Sequence, residues 1–176
     1  MVWRTKGESR FNREYTQPTI AHSPKINVWG CFDNERVGSF IRIEGIMTKE
    51  VYLTVNILQE NMVESANNLF HDRNFYFQQD NDPKHTARVV KEWINAQEFN
   101  LLDWPSQSPD LNPIENVWAY MKQRASTMTF RNSMELMNGL LQIWESLPRT
   151  FLHNLVESMP SRVKAVIANK GGSSGY

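Results

Sequence analysis

Hydrophobic and polar positions change period several times along the chain. The runs INVWGCF (26–32) and VGSFIRIEG (37–45) are rich in β-branched and aromatic residues and are separated by DNER, which predicts an antiparallel hairpin. The short aromatic run FYFQQD (75–80) and the run FNLLDW (99–104) predict two further strands. A VW pair at positions 2–3 predicts another short strand near the start.

Apolar residues recur at helical spacing between these strands. The pattern predicts one helix capped by Thr48, with Val51, Val55, Leu58 and Met62 on its apolar face, and a second helix with Ala87, Val90, Trp93 and Ile94. The second helix lies between two predicted strands. This strand, helix, strand order predicts a parallel pair with a helical crossover.

Three prolines at four-residue intervals, Pro105, Pro109 and Pro113, predict a stiff, extended loop. Asn112 is suited to cap the helix that follows, with Pro113 at its first position. The residues after Asn132 predict only helices. We therefore expect one domain over residues 1–170 and a flexible tail over 171–176.

Composition bounds the class of protein. With 176 residues and 40% hydrophobic residues, the chain is long enough for one buried core. Lys plus Arg and Asp plus Glu both total 19, so the excess of positive charge common in nucleic-acid binders is missing, although both ends are locally basic. A single cysteine excludes a disulfide framework. No apolar run approaches the roughly 20 residues of a membrane span, and we expect a soluble intracellular protein without a membrane partner.

Two acidic residues stand where predicted elements begin or end. Asp80 closes a predicted strand, and Glu115 lies in the first turn of the helix that starts at Pro113. Backbone elements fixed by the core would hold both carboxylates, which suits a site for a hard divalent cation such as Mg²⁺. Such ions can activate an attacking oxygen and stabilise a leaving oxygen in phosphoryl transfer.

Each of these residues also has a structural interpretation. Glu115 lies three residues after Asn112, the spacing of a capping box. Asp80 in DNDP is explained equally well as a turn residue, and we expect Asp82, which precedes Pro83, to be one. His85 is either a phosphate contact or a structural or solvent-exposed side chain. The nearby basic residues Lys84, Arg88 and Lys91 are typical of a solvated helix edge and also surround the site with positive charge.

Two long motifs resemble those of a known protein family. FQQDNDPKHTA (77–87) and LLDWPSQSPDLNPIENVW (101–118), with 34 residues (81–114) between Asp80 and Glu115, resemble the catalytic domain of the mariner superfamily of DNA transposases, specifically its Tc-type branch. Similarity extends to VWRTKGESRFN near the start and to LVESMPSRVKAVIANKGG near the end. The resemblance therefore covers nearly the whole chain.

The resemblance implies an α/β fold of the ribonuclease-H-like type, a mixed sheet flanked by helices with a helical C-terminal segment. It makes Asp80 and Glu115 the second and third of three catalytic acids that bind Mg²⁺ or Mn²⁺. The expected activity is DNA strand cleavage and transfer of transposon ends to a TA target, in the nucleus and by paired subunits. Expected DNA contacts are Lys84, His85, Arg88, Lys122 and Arg124.

One part of the family pattern is not found. The family carries its first catalytic Asp in a DES-like motif on the first, central strand, upstream of the segment that matches VWRTKGE. GESRF (7–11) imitates that motif out of register, so we do not expect Glu8 to be catalytic. We expect a C-terminal transposase fragment that lacks this strand and the DNA-reading helix-turn-helix and is inactive alone. The alternative is a host-retained, non-catalytic module that binds DNA or protein.

Overall fold

The structure is a computed structural model that describes residues 24–53, 57–70, 75–97, 99–105 and 108–175. Its strands are β1 (Asn27–Phe32), β2 (Val37–Ile43), β3 (Tyr76–Phe77) and β4 (Asn100–Leu101). Its α-helices are α1 (Lys49–Leu53), α2 (Val63–Leu69), α3 (Arg88–Asn95), α4 (Pro113–Ala125), α5 (Ser133–Glu145), α6 (Arg149–Glu157) and α7 (Met159–Ala168). The strand predicted at 2–3, and Glu8, lie outside the described residues.

The predicted hairpin is confirmed. β1 and β2 pair antiparallel, with Asn27 opposite Ile43 and Gly30 opposite Phe40, and the register shifts between Gly30 and Phe32. Asp33 closes the turn, because its Oδ1 accepts hydrogen bonds from the backbone N–H groups of Glu35 at 2.7 Å and Arg36 at 2.6 Å.

The predicted parallel pair is also confirmed, although both strands are shorter than predicted. Tyr76 pairs with Asn100 and Phe77 with Leu101, and α3 forms the crossover between them. Within the described ranges, the four strands form two separate two-stranded sheets. The single mixed sheet expected from the resemblance is therefore not continuous in this part of the chain.

The helix predicted after Thr48 begins as expected, and its predicted apolar position Val55 lies outside the described residues. Thr48 Oγ1 accepts from the Val51 N–H at 3.2 Å. Beyond the gap at 54–56, a π-helical turn spans Leu58–Met62 and leads directly into α2. The turn is π-helical because the Met62 N–H donates to Ile57 O, the carbonyl five residues back instead of four, at 2.8 Å.

Helix α4 begins at Pro113 as predicted, but two details of its approach differ. The loop is not extended throughout, because Pro109–Leu111 forms a 3₁₀ turn. The Asn112 side chain makes no capping hydrogen bond; its Oδ1 instead accepts from Gln78 Nε2 at 3.2 Å. The side chain predicted to cap the helix therefore joins it to the end of β3.

The core consists of two clusters of buried side chains. One joins the hairpin to α4, α5 and α6 and contains Phe40, Val117, Met121, Ile143, Trp144, Leu147, Leu152 and Leu155. The other joins the π-helical turn, α2 and α3 and contains Ile43, Tyr52, Ile57, Leu58, Met62, Ala66, Val90 and Ile94. Together these clusters hold in place the elements that carry Asp80 and Glu115. No described helix has the length and apolar character needed to cross a membrane.

The division into a domain over 1–170 and a flexible tail over 171–176 stays a prediction. Ser174 is buried in the structure, and its N–H donates to Asp110 Oδ2 at 2.6 Å. This contact places residue 174 against the 3₁₀ turn before α4.

Trp144 limits the size of the side chain at position 30. Its ring carbon Cη2 would lie 2.9 Å from a Cβ added at Gly30. We expect Gly30→Ala to lower the free energy of unfolding by about 1 to 3 kcal/mol, the usual cost of overpacking. In a Trp144→Phe background the cost should fall, because phenylalanine lacks the clashing atoms. Denaturant titration of this double-mutant cycle measures the coupling. Equal costs in both backgrounds would contradict the packing described.

Candidate functional site

Asp80 lies three residues after the end of β3, whereas the sequence predicted it as the last residue of that strand. Its side chain is half exposed, at 51% of the maximum. Both hydrogen bonds that described residues make to its carboxylate fall on Oδ1, from the Asp82 N–H at 3.1 Å and from His85 Nδ1 at 2.5 Å. The carboxylate is therefore fixed by one oxygen while its side chain remains open to solvent.

The segment after Asp80 folds into a tight turn around Asp82. The Asp82 carbonyl accepts from the backbone N–H groups of His85 at 2.9 Å and Thr86 at 3.0 Å. Its carboxylate accepts from the Lys84 N–H at 2.9 Å and pairs with Lys84 Nζ at 2.8 Å. Partial desolvation opposes ionisation of Asp82, but the Lys84 hydrogen bonds outweigh it and lower the pKa of Asp82. The prediction that Asp82 is a turn residue is confirmed.

The His85 ring, which is hydrogen-bonded to Asp80, is itself held by a buried neighbour. It packs against the buried ring of Tyr52 with centroids 4.0 Å apart. Tyr52 donates its hydroxyl to Gln79 Oε1 at 2.6 Å, and Gln79 Nε2 donates to the His85 carbonyl at 3.3 Å. His85 Nε2 is buried and has no hydrogen-bond partner within the described part of the chain. Tyr52 and Gln79 were not predicted as site residues, since nothing in their local sequence marks them.

Glu115 lies in the first turn of α4 and is electrostatically coupled to Asp80. Partial desolvation of its carboxyl raises the pKa of Glu115, and the negative charge of Asp80 raises it further. The Gln78–Asn112 hydrogen bond connects the two segments just before the acids. This hydrogen bond joins the two segments that carry Asp80 and Glu115, and the pairing of the two carboxylates stays a prediction.

A cavity of about 500 Å³ adjoins this junction. It lies between β1, α2 and β3, and its lining includes Asp80, His85, Asn112 and Pro113. Aromatic side chains of β1 and β3 line much of the remainder. The lining therefore combines aromatic side chains with polar ones, among them Asp80 and His85.

The other basic residues that were predicted to contact DNA lie on different elements or helix faces. Arg88 opens α3 and forms an ion pair with Glu92 at 3.5 Å. Lys122 lies seven residues after Glu115 on α4, hence on the same helix face and about 10 Å along the axis. Arg124 lies on the opposite face, where its guanidinium covers the Tyr120 ring at 5.3 Å. Lys84 thus pairs with Asp82, Lys122 lies on the Glu115 face of α4, and Arg124 lies on the opposite face.

The donor chemistry of the junction fits a hard divalent cation. Two carboxylates repel each other at the ends of two fixed elements, and a cation between them would remove that repulsion. No group of three or more His, Cys, Asp or Glu side chains that could hold a metal occurs among the described residues. This part of the chain therefore offers two carboxylates to a metal.

Comparison with known proteins identifies the family. The family model described as DDE superfamily endonuclease matches residues 1–137. The chain belongs to this family. It is 43% identical over 170 residues to the Tcb1 transposase of Caenorhabditis briggsae and 41% identical to the Tc1 transposase of Caenorhabditis elegans. Both matches cover 96% of this chain and 61% of the relative. The chain therefore spans about three fifths of these relatives, and its assignment to the Tc/mariner type is confirmed.

Solved structures confirm the fold. The catalytic domain of Mos1 transposase with raltegravir and Mn superimposes with a TM-score of 0.68 at 18% identity, covering 84% of this chain and 82% of that one. The Mos1 paired-end complex with the left transposon end gives a TM-score of 0.77 at 18% identity, covering 98% of this chain and 51% of that one. The ribonuclease-H-like architecture is the one these catalytic domains share.

The coupling between the carboxylates predicts the sign of a pH effect. Because the folded pKa of Glu115 is raised, the unfolded chain loses this proton first as pH rises above about 4.3, and ionisation lowers the free energy of unfolding. We expect Glu115→Gln to be more stable than the parent at pH 7, by about 0.5 kcal/mol after solvent screening, which raises Tm by about 1 to 2 °C. The difference should vanish near pH 3.5, where both states are protonated.

Scanning calorimetry at both pH values measures this difference. Glu64→Gln, an exposed acid in the first turn of α2, is the matched control and should show no such gain. If Glu115→Gln instead lowers Tm at pH 7, the Glu115 carboxylate is held by a favourable partner, as in the capping-box alternative.

Proposed function

We propose that the chain supplies two acids of a metal-dependent endonuclease site that cleaves and joins DNA strands during transposition. The observation that carries this proposal is the Gln78–Asn112 hydrogen bond, which joins the segment that leads to Asp80 to the residue before α4, the helix with Glu115 in its first turn. Two like charges at the ends of a strand and a helix destabilise the free protein, and a bound cation compensates for that cost. Relatives at 41% and 43% identity are named transposases, which supports DNA as the proposed substrate.

Asp80 and Glu115 are the residues that would hold Mg²⁺ or Mn²⁺. When bound, such an ion polarises a phosphodiester and favours ionisation of the attacking oxygen. The contribution of the chain is positional: the Asp82 N–H and His85 hold Asp80 by Oδ1, and α4 carries Glu115 in its first turn. Mos1 structures are titled as complexes with Mg and with Mn, which supports the choice of ion.

DNA is the proposed partner. A Mos1 structure with the same fold is titled as a paired-end complex with a transposon end. We infer that Lys84, His85, Arg88, Lys122 and Arg124 contact DNA in the intact protein. Lys122 is favoured by its position on the Glu115 face of α4, whereas Lys84 is partly neutralised by Asp82. The proposal extends to action by paired subunits in the nucleus.

Metal binding tests the acidic pair directly. We expect Mn²⁺ to bind the 176-residue chain weakly, with Asp80→Asn and Glu115→Gln each reducing the affinity by about tenfold or more, because each removes one of two anionic ligands. Titration followed by Mn²⁺ electron paramagnetic resonance measures the bound fraction. Glu145→Gln is the control and should bind like the parent. Equal binding by all four proteins would remove both acids from the site.

Strand cleavage tests whether the chain is sufficient. We expect the purified 176-residue protein with Mn²⁺ to leave a labelled transposon-end duplex intact, because two carboxylates alone position the metal and nucleophile poorly. Denaturing gel electrophoresis reads the product. Cleavage that Asp80→Asn abolishes would contradict this expectation while supporting the proposed site.

Binding to duplex DNA tests the basic residues. The affinity should be modest and fall with salt, and Lys122→Gln should reduce the slope of log affinity against log salt by about one. Fluorescence anisotropy at several salt concentrations gives the slope. Lys164→Gln on α7 is the control for a basic residue outside the predicted set. A larger effect at Lys164 than at Lys122 would move the DNA surface to the C-terminal helices.

A further inference from the structure

Arg162 on α7 is a buried charge, only 2% exposed. Its Nη1 donates to the Asp110 carbonyl at 2.8 Å and to Asn116 Oδ1 at 2.9 Å, and its Nε donates to Ser158 Oγ at 2.8 Å. Arg162 lies in the locally basic C-terminal part of the sequence, yet its guanidinium is buried. Burying a guanidinium is costly unless hydrogen bonds compensate for the lost hydration. The partners of Arg162 therefore show which segments it holds together.

The partners of Nη1 lie on either side of the start of α4. Asp110 is in the 3₁₀ turn that precedes the helix, and Asn116 is the residue next to Glu115. One nitrogen therefore connects the incoming loop to the first helical turn. The loop cannot move away from the turn that carries Glu115 without breaking one of these bonds.

A second contact from the C-terminal segment reinforces the first. The Ser174 N–H donates to Asp110 Oδ2 at 2.6 Å, and hydrogen bonds from Ser174 lower the pKa of Asp110. Asp110 is thus held by its carbonyl from α7 and by its carboxylate from residue 174. Arg162 lies 46 positions after Asn116 in sequence, and together with Ser174 it supports the segment before α4.

We propose that Arg162 is a positioning residue that fixes the first turn of α4 and thereby the location of Glu115 relative to Asp80. The inference rests on the proposed function for its consequence, since it makes metal affinity depend on a residue that touches neither acid. Residues that orient metal ligands commonly change affinity by about 10- to 100-fold when removed. A well-packed apolar side chain would fill the same space without providing this orientation.

The test compares Arg162→Met, Arg162→Lys and Asn116→Ala with the parent chain. Ser158→Ala is the matched control, because it removes a partner of Arg162 on its own helix and leaves the bonds to α4 and its loop. Amide hydrogen exchange of residues 114–117 reports the first turn of α4. Exchange of the α5 amides and the thermal midpoint report the whole fold, and Mn²⁺ titration reports the site.

We expect Arg162→Met and Asn116→Ala to speed exchange at 114–117 by about tenfold more than at α5, as for one lost hydrogen bond. Mn²⁺ affinity should fall about tenfold in both, Arg162→Lys should recover part of the loss, and Ser158→Ala should match the parent. Uniformly faster exchange with unchanged Mn²⁺ affinity would overturn the inference. If Arg162→Met does not fold, Asn116→Ala decides by the same criteria.

If the proposed metal site is wrong, the Mn²⁺ titration gives a different result. In that case the parent and Glu115→Gln bind Mn²⁺ equally, whatever residue 162 is. Selective loss of protection at 114–117 would then still support the positioning role of Arg162, and its absence would overturn that role.

Discussion

The candidate site depends on the junction between the end of β3 and the start of α4. Gln78 donates to Asn112 at 3.2 Å, and each of these residues lies two or three positions before an acid. This bond joins elements that are remote in sequence, so Asp80 and Glu115 are brought together by tertiary structure. Partial desolvation raises the pKa of Glu115, and the negative charge of Asp80 raises it further. A site that is electrostatically unfavourable when empty is suited to binding a cation.

Each side of the junction has its own support. On the strand side, Tyr52 and His85 pack together beneath Asp80, and Gln79 connects them. On the helix side, Arg162 and Ser174 hold Asp110 in the loop before α4. Both supports consist of contacts between side chains and neighbouring elements of the fold. Contacts of this kind fix the position and orientation of metal-binding side chains in proteins.

The local elements could be predicted from sequence because their signals are local. The hairpin, the α3 crossover and the proline at the start of α4 all follow from residue type and spacing. The position of Asp80 at a strand end, and of Glu115 in a first helical turn, follows from these elements. Their mutual proximity was predicted from the chemistry of paired carboxylates and from the family resemblance.

The remaining features depend on contacts that spacing does not encode. Asn112 has an ideal capping position, yet Gln78 from another element takes its side chain. Arg162 sits in a basic stretch of sequence, yet the packing of α7 against the 3₁₀ turn buries it. Tyr52 supports a site 28 residues away in the chain. In each case the partner comes from a distant segment, so no local pattern could identify the role.

The most direct measurement of the central claim is the location of bound Mn²⁺. Crystals of the chain soaked in Mn²⁺ and measured at a wavelength with strong manganese anomalous scattering would give its position without assumptions about activity. The account predicts an anomalous peak in contact with carboxylate oxygens of both Asp80 and Glu115. A peak bound by other residues, with these two carboxylates directed away from each other, would contradict it.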